Sequence, residues 1–481
     1  MRRIGWLLLG LVLGSGLTTA LLLPWEGESN PDLDLAWSEF MQGLDRAKGH
    51  LTDPKKFPAP PTDRNLAEGH RYLLGHLNRM IEDEMRADPR FPEFFRSMDM
   101  LRKWTAENPD ALYLKAPIDG MKYYEVRGRA ANSAAWRDSR RDIGGPQAPR
   151  MVSFATITSV PGDTGDLLEM GNCRNQTLDH MTAFDIEPDE SGEFTLMIGP
   201  ERPPAYKGYF LQSRKLTDCR RAGTSEVRVA TLLSVREIFS NWAAEQPLEL
   251  EIRRLDAVGA TRPPVDSAFM AGKLRKIASD LPNQVAFWQQ VQELALEVNR
   301  DLNFDGKRAM PINGINPPAP PFTAAGVAGA GQLYAGGQFD FGPDEALLIT
   351  VTAPREPHYI GLQLSNLWFE GPDQQNYTSS LNGHQLPPAS DGSRYFIIAH
   401  RDPGVAGWVD TTGLERGTHA MRFIFREEVS DDLLPQLQTR VVPLAELARH
   451  LPADTPRVSP EERTGQIAVR QAHIKRRWRA Y

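Results

Sequence analysis

The chain has 481 residues, with 55 Lys and Arg against 62 Asp and Glu, which gives a formal net charge of −7. Hydrophobic residues make up 41% and charged residues 24%, as in a folded globular protein, and the length suits two or three domains. This composition excludes a wholly disordered chain and a membrane protein with many spans. The acidic balance argues against nucleic acid as a partner, and no motif predicts a cofactor or a metal.

The chain begins with an apolar segment. Arg2 and Arg3 precede an uncharged run over residues 4–23, which is long enough to cross a bilayer core as a helix. Basic residues before such a run place the N-terminus in the cytoplasm. We therefore expect a single-pass protein of the bacterial inner membrane with the bulk of the chain in the periplasm. The alternative is a signal peptide cleaved after Ala20, which would leave a secreted or periplasmic protein.

The rest of the chain divides by composition and periodicity. Apolar residues recur at helical spacing from Asp63 to Ala87, whereas short β-rich runs such as Met151–Val160, Phe194–Ile198 and Leu248–Leu255 follow. The predicted divisions are an anchor or signal segment (1–24), a linker (25–62), a helix plus first β-sandwich module (63–260), a helical connector interrupted near Pro282 (261–315), a Gly/Pro-rich loop (316–337), a second β module (338–442) and a C-terminal helical tail (443–481).

Many short strands without intervening helices favour antiparallel sandwiches. The predicted fold is thus mainly β with flanking helices, an α+β protein with two antiparallel β-sandwich or jelly-roll-like modules, an N-terminal transmembrane helix and a C-terminal helix. Ser459 and Glu462 form a capping box for that last helix. Its basic end over 475–479 is either a solvated helix terminus or a site for an anionic surface. No internal repeat at a fixed period is visible.

The chain contains two cysteines, Cys173 and Cys219. In an oxidising compartment such a pair can form one structural disulfide, and we expect that bond here. Two unpaired thiols are the alternative, and neither cysteine belongs to a CxxC motif.

The most distinctive segment covers residues 400–413. Arg401 offers a planar fork for a carboxylate or phosphate, and Asp402 and Asp410 have the chemistry of acids, bases or hydrogen-bond acceptors. Trp408 could stack on a sugar or an aromatic ligand. The alternative is a structural loop in which Arg–Asp pairs and turns satisfy one another.

These residues also carry a resemblance. The stretch AHRDPGVAGWVDTTG, with Asn382 before it, resembles the C-terminal module of a bacterial family known as domain of unknown function 1214. The segments EGHRYL (68–73), NPDALY (108–113) and SVREIFSNW (234–242) are similar to the N-terminal part of the same proteins, so that the resemblance covers roughly residues 66–442. It implies two β-rich modules, the second similar to a jelly roll, and it implies no activity.

Three functions follow from this sequence. The first is a membrane-anchored extracytoplasmic protein that binds a lipid, glycan or metabolite, with Asn108 and Asp110 of the first module meeting Arg401, Asp402, Trp408 and Asp410 of the second. The second is a hydrolase or lyase that uses Asp402 and Asp410 with Arg401. The third is a non-catalytic envelope scaffold. Self-association into a homo-oligomer is compatible with all three.

Overall fold

A computed structural model describes most of the chain. The described residues are 30–53, 55–58, 62–103, 106–138, 143–170, 174–219, 223–296, 310–320 and 331–479. The predicted membrane segment (residues 4–23) and Cys173 lie outside these ranges, and so does the side chain of Cys219. Within them, no helix is long and apolar enough to span a membrane.

The described helices are α1 (Pro31–Thr52), α2 (Asp63–Arg86), α3 (Ala135–Asp138), α4 (Ser267–Leu296) and α5 (Pro460–Arg479). Helices α1, α2 and α4 share an apolar core that includes Tyr72, Leu281 and Trp288. Helix α4 continues through Pro282, so the predicted interruption there is wrong. Burial of Leu281, Pro282 and Val285 in the helix layer offsets the hydrogen bond that proline cannot donate.

The first β module runs from residue 95 to residue 254. Its strands are β1 (Phe95–Met98), β2 (Ala111–Pro117), β3 (Tyr124–Arg129), β4 (Met151–Ile157), β5 (Thr177–Thr182), β6 (Glu193–Gly199), β7 (Tyr209–Gln212), β8 (Arg214–Cys219), β9 (Thr224–Val229), β10 (Leu232–Ile238) and β11 (Glu249–Arg254). Sheet β1-β2-β10-β4-β5 and sheet β11-β3-β6-β7 enclose one core containing Leu114, Val126 and Leu196, and β8 and β9 form a separate hairpin.

The second β module runs from residue 332 to residue 443. Its strands are β12 (Gln332–Asp340), β13 (Glu345–Thr352), β14 (Tyr359–Ser365), β15 (Ser380–Asn382), β16 (Ser393–Ala399), β17 (Trp408–Asp410), β18 (Arg416–Ile424) and β19 (Gln436–Pro443). Sheet β12-β18-β14-β15 and sheet β17-β16-β13-β19 enclose a second core around Ile349, Phe396 and Met421. The predicted class, a mainly β chain with flanking helices, is confirmed.

The two modules share one strand order. Strands β2-β10-β4-β5 of the first module correspond to β12-β18-β14-β15 of the second, and β11-β3-β6-β7 corresponds to β19-β13-β16-β17. In both modules one pair is parallel, β6 with β7 and β16 with β17. The prediction of wholly antiparallel sheets is therefore wrong at these two pairs. In each pair the connecting loop returns the chain to the end of the sheet at which the first strand began. The second strand (β7 or β17) therefore runs parallel to the first (β6 or β16).

The outer faces of the corresponding sheets differ in chemistry. In the first module this face carries Glu125, Arg127 and Arg253, and Glu125 accepts ion pairs from both arginines. In the second module the same face carries a second apolar cluster that includes Leu348, Ile397 and Val442. A sheet that is apolar on both faces must be covered on both. The cover is the segment after β19, whose 3₁₀-helix Leu444–His450 packs Leu447 onto that cluster.

Candidate functional site

Asn108 and Asp110 lie where the two modules meet. One oxygen of Asp110 accepts hydrogen bonds from Trp242 Nε1 and Asn382 Nδ2, both at 2.8 Å, and the other accepts one from the Tyr359 hydroxyl at 2.6 Å. Asn108 Nδ2 donates to the same hydroxyl at 3.0 Å. Tyr359 and Asn382 belong to the second module, so these two residues bind the modules to each other.

Helix α5 closes this interface from one side. Both terminal nitrogens of Arg477 donate to the carbonyl of Pro109 at 3.0 Å, and the guanidinium lies over the rings of Phe239 and Trp242. Arg470 reaches the second module, where it donates to the backbone oxygens of Gln374 and Ser380. Within the basic end over 475–479, Arg477 is 0% exposed while Lys475 is exposed, so the arginine that faces the modules is not solvated.

The electrostatics of this cluster are those of a sealed polar core. Burial raises the pKa of Asp110, while hydrogen bonds from Tyr359 and Asn382 and the charges of Arg470 and Arg477 act in the opposite direction. The carboxylate is 2% exposed, and each of its oxygens already has a donor. Asn108 and Asp110 thus perform a structural task, and they leave no free group for a ligand.

The predicted loop lies elsewhere, between β16 and β17. The Arg401 side chain is 62% exposed and pairs with Asp344, which directly precedes β13. Asp402 accepts a bidentate pair from Arg463 of α5, at 2.9 Å from Nε and 3.0 Å from Nη2, and a further bond from the Gly404 amide at 2.9 Å. The loop is therefore held by the helix that also closes the interface between the modules.

Trp408 and Asp410 anchor the far end of this loop. Trp408 donates its ring N–H to the carbonyl of Ala399 at 3.1 Å, and the Arg463 guanidinium lies 5.2 Å from its ring centroid. Asp410 accepts a bond from the Thr412 amide at 2.7 Å. Burial raises the pKa of Asp410, and the nearby Asp402 acts in the same direction. Asp410 thus binds within its own loop, whereas Trp408 binds the end of β16 and α5, and both contacts fit the structural alternative.

An open groove adjoins the other half of the loop. It has a volume of about 770 Å³, within the range of ligand pockets. Arg401, Asp402, Pro403 and Val405 form one wall, and the segment 443–457 that covers the outer sheet face forms the other. Backbone bonds from Ala406 to Pro456 and from Val458 to Gly404 tie the two walls together.

The groove combines an apolar floor with charged rims. Leu444, Leu447 and Leu451 line it at three- and four-residue spacing, together with Val405. Arg401 and Arg457 line it as exposed side chains, and Arg457 makes no ion pair with any described residue. No aromatic side chain lies among the lining residues, so the stacking role that the sequence suggested for Trp408 has no counterpart in the groove.

The predicted site thus separates into two places. Asn108 and Asp110 contact Tyr359 and Asn382, whereas Arg401 and Asp402 contact Asp344 and Arg463. Helix α5 links them, because Arg463, Arg470 and Arg477 recur every seven residues on one face. At 1.5 Å per residue, Arg463 and Arg477 lie about 21 Å apart along the helix axis.

Sequence reasoning missed the second wall of the groove. Residues 443–457 read as the start of a helical tail, although Leu444, Leu447 and Leu451 carried the signal of an apolar face. Asp344 and Arg463 were also missed, since nothing in their local sequence marks them as partners of the loop.

Comparison with known proteins supports the fold alone. No protein-family model and no curated protein matches the chain. The chain is similar to an uncharacterized protein from Burkholderia cenocepacia, whose crystal structure aligns with a TM-score of 0.66 and 25% identity over 85% of this chain and 97% of that chain. A structure from Vibrio parahaemolyticus aligns over 83% of this chain and 99% of that chain, but its identity of 10% and TM-score of 0.36 are too low to carry an argument.

Proposed function

We propose that this protein is a membrane-anchored, extracytoplasmic β-sandwich protein that binds a small or extended ligand in the groove beside Arg401. The observation that carries the proposal is the groove itself, an open space of about 770 Å³ at the loop that the sequence singled out. The groove lies on the outside of the second module, which we take to be jelly-roll-like as the family resemblance implies. A ligand there would not enter either sandwich core.

A ligand-binding role explains the environments of the charged residues in the loop 400–413 better than a catalytic role does. Asp402 would be the acid or base of an enzyme, but both of its oxygens accept hydrogen bonds from Arg463. Asp410 is not among the groove-lining residues. Arg401, by contrast, lines the groove with a largely exposed guanidinium that can reach a ligand.

A thermal-shift screen of the full chain against envelope lipids, glycans and metabolites tests the binding function. We expect a stabilising ligand whose effect is lost in Arg401→Ala, while the melting temperature without ligand stays nearly unchanged because exposed ion pairs contribute little. Trp408→Ala is the control, since it should lower the melting temperature and leave the ligand response intact. A ligand response that survives Arg401→Ala would place binding outside this groove.

The proposed membrane anchor is residues 4–23, and fractionation of cells tests it separately from ligand binding. We expect the protein in the membrane fraction, with its β modules digested by protease added on the periplasmic side. A soluble mature chain beginning near Leu21 would instead establish the cleaved signal peptide.

A further inference from the structure

The chemistry of the groove deepens the proposed function, on which this inference rests. We propose that the groove takes a single-chain amphiphile with a terminal carboxylate, that is, a fatty acid. Its alkyl chain would lie along Val405, Leu444, Leu447 and Leu451, and its carboxylate would bind Arg401 and Arg457 at the rim.

The apolar floor is particular to the second module. The corresponding sheet of the first module has the same strand order, yet its outer face carries Glu125, Arg127 and Arg253. The fold therefore does not require an apolar outer face. In the second module the covering segment buries Leu447 to 3% exposure but leaves Leu444 and Leu451 only partly covered, beside open space. An alkyl chain bound in the groove would remove the exposed apolar surface of these two leucines from water, which is favourable.

The shape of the apolar surface favours one chain. The three leucines follow one another along a single segment, so they form one strip and not two. No aromatic platform accompanies them for a sugar ring. The groove is open along its side, which suits a linear molecule whose polar end stays in water.

The charges of the rim favour an anion. Asp402 is neutralised by Arg463, and Asp344 by Arg401. Arg457 has no acidic partner among the described residues. With Arg463, which pairs with Asp402 from outside the lining, the charged groups around the groove sum to one net positive charge. The guanidinium of Arg457, together with the exposed guanidinium of Arg401 that also pairs with Asp344, complements a carboxylate at the end of an alkyl chain beside the apolar strip.

Calorimetric titration of the full chain with decanoate tests the inference, with decanol as the uncharged analogue and acetate as the anion without a chain. We expect one decanoate per chain and much weaker binding of the other two. The double variant Arg401→Gln/Arg457→Gln should weaken decanoate binding by about tenfold or more, because it removes the charge-assisted hydrogen bonds. Ala448→Asp, which places a carboxylate in the groove at an exposed position, should abolish binding.

Arg449→Gln is the matched control, because Arg449 is exposed on the same 3₁₀-helix and does not line the groove. It should bind decanoate like the parent chain. Equal binding of decanol, or decanoate binding that both groove variants leave unchanged, overturns the inference. So does a dimer that buries the groove and excludes decanoate. If decanoate fails while another ligand depends on Arg401, the fatty-acid inference is wrong and the proposed binding function stands.

Discussion

The hydroxyl of Tyr359, in the second module, donates a 2.6 Å hydrogen bond to the carboxylate of Asp110, in the first. Both side chains are buried, at 1% and 2% exposure. A short hydrogen bond between a buried phenol and a buried carboxylate fixes the relative position of the two modules, since burial keeps both groups from bonding to solvent instead.

Removal of the Tyr359 hydroxyl should therefore destabilise the protein. We expect Tyr359→Phe to lower the free energy of unfolding by about 1–3 kcal/mol, because one oxygen of a buried carboxylate loses its donor. Tyr377→Phe is the control, since Tyr377 is 45% exposed and should have almost no effect. Urea denaturation of both variants measures the difference. Equal stabilities would mean that the interface opens to water.

Arg477 should contribute more to the stability of the protein than its neighbour Lys475 in α5. Arg477 is fully buried on Pro109, Phe239 and Trp242, whereas Lys475 is exposed. We expect Arg477→Met to cost about 1–3 kcal/mol, since the buried carbonyl of Pro109 loses both donors, and Lys475→Met to be nearly neutral. Thermal unfolding and limited proteolysis between the modules compare the two. A matching loss in Lys475→Met would contradict the structural role of this face.

The start of α5 was predictable, but its docking was not. The predicted capping box is confirmed, because the Ser459 amide donates to Glu462 at 2.7 Å and the Glu462 amide donates to the Ser459 hydroxyl at 3.2 Å. These are local contacts within four residues. Which arginines become buried depends on Pro109 and Trp242, which are hundreds of residues away in the sequence, and no local pattern encodes such partners.

Glu237 should make stability depend on pH. It is buried in the first module, and burial raises its pKa to about 8. An unfolded glutamate has a pKa of about 4.3, so between these values the folded chain keeps a proton that the unfolded chain has lost. The stability that this proton confers is present at low pH and is lost as the pH rises through about 8.

Glu237→Gln tests this relationship, because glutamine has a similar size and no ionisable group. Between about pH 6.5 and pH 8 the parent chain should lose more stability than the variant in urea denaturation. Glu193→Gln, at an exposed position of β6, should keep the parent pH dependence. A variant with the same slope as the parent would show that Glu237 is already ionised at neutral pH.

The predicted disulfide between Cys173 and Cys219 can be measured directly. Peptide mapping without reductant should find the two residues linked, and thiol titration of the unfolded protein should find none free. The Cα atoms of a bridged pair lie about 4.4–6.8 Å apart. Reduction should then lower stability by about 2–4 kcal/mol. Two titratable thiols in protein prepared from the oxidising compartment would refute the bond.

The strands and the site differed in how well the sequence predicted them. Strand β11 falls within the predicted run Leu248–Leu255, because its alternation of exposed and half-buried residues is a property of adjacent positions. The groove is a property of segments that are distant in the chain. Arg401 was found because its loop is unusual in itself, whereas Arg457 becomes relevant only when the covering segment turns back to pair with Val405.

Helix α5 is synthesised after both sandwich modules, and this order has a consequence for biogenesis. While residues 470–477 are still absent from the nascent chain, the carbonyl of Pro109 lacks the donors that Arg477 brings, and the rings of Phe239 and Trp242 lack their cover. Until α5 has been synthesised, the apolar and polar groups that it covers at the interface between the modules remain without these partners. The contacts by which α5 closes the interface can therefore form only after nearly the whole chain has been synthesised.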